Sequence, residues 1–159
     1  MIIFQFNDES DISQWTIVDD VVMGGRSNGN FIQTSDGFGQ FYGKVSLENN
    51  GGFSSVRYPL NNIDAANFTT FKIKVKGDGK MYQFRVKSNN QRHSYVFSFT
   101  TTKEWQEVII PFNEMTPSFR GNLLNIPNYD GGSLTEMAFL IGNKKEQSFK
   151  LLIEEIAVF

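Results

Sequence analysis

The hydrophobic pattern of the chain has a period of two over most of its length. In Phe71-Lys72-Ile73-Lys74-Val75-Lys76 every apolar residue is followed by a lysine, and Tyr82-Gln83-Phe84-Arg85-Val86-Lys87 repeats the alternation. Successive strand side chains point to opposite faces, so each run predicts a strand with an apolar inner and a basic outer face. Gly77-Asp78-Gly79 between them has the composition of a hairpin turn, and the two runs are expected to pair as antiparallel neighbours. Further strands are expected over Ile2–Phe6, Trp15–Val18, Phe31–Thr34, Gly39–Val45, Phe53–Tyr58, His93–Thr100, Trp105–Ile110, Met137–Ile141 and Phe149–Phe159. In the last, the alternation changes phase at Glu154-Glu155, where a bulge would re-aim the strand. Helical periodicity is nearly absent; a short turn near Asn61–Asn67 fits the pattern.

Short strands separated by Gly and Asn turns predict an all-β fold, a two-sheet antiparallel β-sandwich of jelly-roll type, with residues 1–159 as one domain. Sixteen Phe and fourteen Gly beside four Pro agree with that. The net charge of −2 gives no basic field for nucleic acid. The chain has no cysteine, which excludes disulfides, thiol nucleophiles and thiolate metal sites. The N-terminal MIIFQFNDES lacks the basic start of a signal peptide, and no apolar run approaches the roughly 20 residues of a membrane span. The expected setting is the cytoplasm, without direct membrane insertion.

Three stretches concentrate chemistry. Asp19–Gly29, DDVVMGGRSNG, joins two acids, paired glycines, an arginine and a serine. It has no Lys-Ser/Thr ending for a phosphate loop, no Rossmann glycine spacing and no EF-hand ligand series. A glycine-hinged connection is the simple reading, although Val21, Val22 and Met23 are too apolar for a solvated loop. In Gly43–Tyr58, alternation puts Phe53, Ser55 and Arg57 on one face; Arg57 beside two serines suits an anion, or else an ordinary solvated sheet face. Ile110–Gly121 reads as a proline-punctuated loop ending in Arg120.

Catalysis is hard to assemble. His93 is the single histidine, with no nucleophile elbow to serve and no second histidine for a metal. An enzyme would need an unusual site, such as Asp20 and Arg57 acting on a small anion. Asn7-Asp8-Glu9 beside Glu154-Glu155 could offer oxygen ligands to calcium, with solvated acids as the simpler reading. No cofactor, metal or catalytic set is expected.

The motifs W-x₂-VDDVVMGGRSNG from Trp15, G-x-VSLENNGGFSSVR from Gly43, KGDGK-x-YQFRVK from Lys76, W-x₃-IPF, PSFRG, and AFLIGNKK from Ala138 resemble the complex I intermediate-associated protein 30 family, in order and over nearly the whole chain. The sequence looks like a compact bacterial member without an organelle-targeting extension. The resemblance implies a galactose-binding-like jelly roll, similar to some carbohydrate-binding modules. It also implies a non-catalytic assembly role, with a protein partner such as an assembly intermediate or membrane-complex subunit.

Interface anchors are commonly Met, Phe and Arg. The expected binding residues are therefore Asp20, Met23, Arg57 and Arg120, with Arg85 from the polar face of its strand and Gly24, Gly25 and Ser27 from the signature loop. The alternative is a glycan-binding module with Trp15, Tyr82 and Tyr95 as stacking platforms; alternation turns Tyr82 inward, against that use.

Overall fold

The computed structural model describes the backbone of residues 1–159 and every side chain except those of Val22 and Met23. Strands run over Ile2–Gln5 (β1), Thr16–Asp19 (β2), Asn28–Gln33 (β3), Gly39–Val45 (β4), Ser54–Ile63 (β5), Thr70–Lys76 (β6) and Met81–Ser88 (β7). They continue over Ser94–Thr100 (β8), Trp105–Pro111 (β9), Thr116–Phe119 (β10), Asn122–Leu123 (β11), Leu134–Ile141 (β12) and Gln147–Val158 (β13). Short 3-10 turns occupy Asp20–Met23, Glu48–Asn50 and Phe112–Glu114. No helix is long and apolar enough to cross a membrane among the described residues.

Every strand pair is antiparallel. One sheet has the order β3-β4-β13-β6-β9, with β1 beside the later part of β13. The other has the order β11-β10-β8-β7-β12-β5-β2. This is the two-sheet jelly-roll sandwich expected from the alternation. The register of β13 shifts between Ile153 and Glu155, which bears out the bulge. It turns the Glu154 carboxylate outward, 2.8 Å from Lys74 Nζ.

The expected hairpin is a correction. β6 pairs with β13 and β9, whereas β7 pairs with β12 and β8, so the two runs lie in opposite sheets. Gly77–Lys80 crosses between the sheets instead of closing a hairpin. A Cβ on Gly77 would lie 2.2 Å from the Thr101 side chain, and Asp78 accepts hydrogen bonds from the Tyr82 hydroxyl and the Lys150 N–H. Alternation had determined the faces correctly: Phe71, Ile73, Val75, Tyr82, Phe84 and Val86 are all buried. They meet across the sandwich, with the Phe71 and Phe84 rings edge to face at 5.2 Å.

The short turn expected near Asn61–Asn67 forms at the end of that stretch, after β5 runs on to Ile63: the Phe68 N–H donates to the Ala65 carbonyl. One smaller expectation changes. The presumed loop Ile110–Gly121 contains β10, with Pro117 opposite Tyr95 of β8.

An aromatic cluster plugs one end of the core. Trp15 packs against Phe4, Phe6, Phe31 and Tyr58 with ring centroids 4.9 to 5.6 Å away. Trp15, Tyr82 and Tyr95 are all under 9% exposed, so none of the three offers a stacking platform to solvent.

Candidate functional site: a glycine-lined clasp and an arginine face

The signature loop and the Gly51-Gly52 turn form one structural unit around Asp20. The Asp20 side chain has no exposed surface. Its Oδ1 accepts the Ser27 N–H at 2.9 Å. Its Oδ2 accepts the Ser27 hydroxyl at 2.6 Å, the Gly52 N–H at 2.6 Å and the Phe53 N–H at 3.3 Å. Burial by itself would raise this carboxyl's pKa; the hydrogen bonds from Ser27, Gly52 and Phe53 outweigh it and hold the group below its ordinary value. The glycines follow from this geometry. A Cβ on Gly25 would lie 2.4 Å from Asp20 Cγ, and one on Gly51 would lie 2.4 Å from Oδ2. Gly24 differs: nothing crowds it, but its φ of +89° is left-handed. Next door, Asp19 accepts the Gly29 N–H at 2.8 Å and the Ser54 hydroxyl. The two acids tie β2, β3 and β5 together.

Arg57 sits on the outward face of the seven-stranded sheet. Ala138 of β12 is opposite Arg57 of β5 on one side and Arg85 of β7 on the other. The two arginine Cα atoms are therefore about 10 Å apart, two strand spacings, on one face. Arg57 Nε donates to the Ser55 hydroxyl at 3.4 Å, and Arg85 donates to Gln83 Oε1 at 3.2 Å. Neither guanidinium has a carboxylate within ion-pair distance among the described residues; Glu136, on the same face, pairs with Lys87 at 3.8 Å. Burial, then the charge of Arg57, pushes the Arg85 pKa down, and Glu136 offsets part of this. Beside Arg57 the surface opens into a concavity of about 450 Å³, lined by Gln14, Thr16, Val18, Arg57, Pro59 and Glu136.

The remaining expected residues fall elsewhere. Arg120 lies at the β10–β11 turn, four strand positions from β5, about 19 Å by strand spacing. Its guanidinium and that of Arg92 lie over the Phe119 ring at 5.2 and 5.3 Å. The Met23 side chain lies outside the described residues. The concavity at Arg57 does not include Asp20. His93 Nε2 is buried with no hydrogen-bond partner among the described residues, and its ring meets Tyr95 edge-on at 5.1 Å. Among the described residues no three His, Asp or Glu side chains converge to hold a metal. Glu136, Gln14, Thr16 and Ala138 are the site residues that sequence reading missed. Alternation marks Glu136 as outward, but only the strand order puts it near Arg57.

This architecture defines a class: a galactose-binding-like β-sandwich. Among the solved structures that share the fold are two family 11 carbohydrate-binding modules of Clostridium thermocellum. The one from a cellulosomal cellulase is 16% identical with a TM-score of 0.70, covering 98% of this chain and 93% of that one. The other is in complex with a β-1,3-1,4-mixed-linked tetrasaccharide; it is 15% identical with a TM-score of 0.68, covering 98% of this chain and 94% of that one. Likeness at that level speaks for the fold alone. Residues 4–153 match the family model of complex I intermediate-associated protein 30, and the chain belongs to that family. The mouse mitochondrial protein of that name is 25% identical over an alignment that covers 99% of this chain and 56% of the mouse protein. The chain thus spans about half the length of that relative.

Proposed function

We propose that residues 1–159 act as a single, non-catalytic domain that binds a protein partner, in the manner of an assembly factor. The observation that carries the reading is the family match over residues 4–153. The structure is compatible with it. Among the described residues His93 Nε2 has no hydrogen-bond partner, and the outward face of the seven-stranded sheet offers guanidinium groups with unused donors. The class of partner that fits the family is an assembly intermediate or a membrane-complex subunit. The cytoplasm is the proposed setting, which cell fractionation checks directly.

The experiment is gentle affinity capture of the tagged chain from its native host. A reproducible protein partner is expected. A folded bait that captures no protein, while retaining on a glycan column, would reverse the reading. That second reading, a glycan-binding module, is favoured by the likeness to a module solved with a tetrasaccharide. Against it stands the burial of Trp15, Tyr82 and Tyr95, the rings expected to serve as platforms.

A further inference from the structure

We infer that Arg57 and Arg85 form a clamp for the carboxylate of an acidic peptide segment, with Ala138 as its floor. The inference rests on the reading of the chain as a protein-binding module and names the chemistry of the partner.

Four observations carry it. Arg57 and Arg85 flank Ala138 in register, and Ala138 is 4% exposed, with only a methyl group between the two long side chains. Each guanidinium has five N–H donors, and each makes one side-chain hydrogen bond, to Ser55 and to Gln83, among the described residues. Those bonds hold the groups in place without neutralising them. Ser55 is itself fixed, 1% exposed and donating to the Val18 carbonyl at 2.5 Å.

The third observation is the charge balance. Arg57, Arg85 and Lys87 share the face with Glu136, whose carboxylate Lys87 already engages. A locally cationic face on a chain of net charge −2 selects acidic surfaces. The fourth is access. The concavity of about 450 Å³ borders Arg57; Gln14 and Thr16, whose polar side chains suit a peptide backbone, line it together with Val18, Pro59 and Glu136, the carboxylate that Lys87 engages. A planar carboxylate matches the guanidinium fork better than a point charge does, and one carboxylate between two forks relieves their mutual repulsion.

The test uses the full chain, a fluorescent hexaglutamate peptide and anisotropy at low salt, with hexalysine and inorganic phosphate as controls. Hexaglutamate is expected to bind, and Arg57→Ala or Arg85→Ala to weaken it about tenfold or more. The double Arg57→Lys, Arg85→Lys variant keeps charge and packing but loses the forks, and should fall between. Where the alanine variants do not fold, the lysine pair decides. Ala138→Glu places a carboxylate of the chain's own between the guanidiniums and should abolish peptide binding. Lys44→Ala, at an exposed position on β4 of the other sheet, should leave it unchanged.

Hexaglutamate binding that is equal in wild type and the folded lysine pair overturns the clamp. So does binding of phosphate without binding of hexaglutamate. A native partner captured equally by wild type and the lysine pair, with no hexaglutamate bound by either, overturns the clamp and leaves the binding-module reading standing.

Discussion

The clasp around Asp20 and the arginine face share strand β5, yet they treat charge in opposite ways. Ser54 faces the clasp and gives its hydroxyl to Asp19; Arg57, three residues on, faces outward. Asp20 is fully buried and each of its oxygens is satisfied by donors of the same chain. Arg57 and Arg85 hold one side-chain hydrogen bond each and no ion pair among the described residues. The most distinctive stretch of sequence is therefore a fastening, and the exposed chemistry lies on ordinary-looking strands. A family signature can mark what holds a fold together instead of what the fold touches.

The largest effect that would break this comparison is at Asp20. Asp20→Ala leaves the Ser27, Gly52 and Phe53 donors without an acceptor in a closed space. It is expected to cost about 3–5 kcal/mol, read as a lower urea midpoint at unchanged slope. A loss under about 1 kcal/mol would mean that the clasp is not a structural tie.

The paired glycines sharpen the point. Gly25→Ala drives a methyl into the Asp20 carboxylate, 2.4 Å from Cγ, and is expected to cost about 2–3 kcal/mol. Gly24→Ala meets nothing within 4 Å but must hold a left-handed φ, at about 1–2 kcal/mol. In the Asp20→Ala background the Gly25 penalty should shrink and the Gly24 penalty should persist. Equal penalties in both backgrounds would separate Gly25 from the carboxylate.

Acid provides a milder probe. The Asp20 pKa is lowered in the folded state from its ordinary 3.8, so the unfolded chain takes up the proton first as pH falls. The stabilisation is fully present above that ordinary value and is lost as pH drops through the folded value. Urea midpoints measured from pH 7 downward should therefore fall more steeply below about pH 4 in wild type than in Asp20→Asn. Parallel curves would show that Asp20 does not carry this dependence.

How much of this was legible follows from the range of each interaction. Alternation is local, and it placed Phe71, Ile73, Val75, Tyr82, Phe84 and Val86 inside and Arg57 and Arg85 outside. The phase change at Glu154-Glu155 is local too, and the bulge is there. Partner choice is not local. β6 and β7 carry matching patterns and a short link, and nothing within Phe71–Lys87 says that they enter different sheets. The Asp20 clasp closes between residues 32 and 33 positions apart, and the Arg57–Ala138–Arg85 row joins three distant strands. Residue types announced both places as unusual, but only the topology shows that one is filled from within and the other open.

The smallest expected effect is the most diagnostic for the arginine face. A charge that serves the fold should be missed when removed, as with Asp20; one held for a ligand should not. Arg85 is partly buried, repelled by Arg57 and helped only by Glu136 at a distance. Arg85→Met keeps the long apolar stem over Ala138 and removes the repulsion. Its stability in urea should stay within about 1 kcal/mol of wild type, on either side. A loss as large as that of Asp20→Ala would make Arg85 part of the framework, and the contrast between the clasp and the arginine face would collapse.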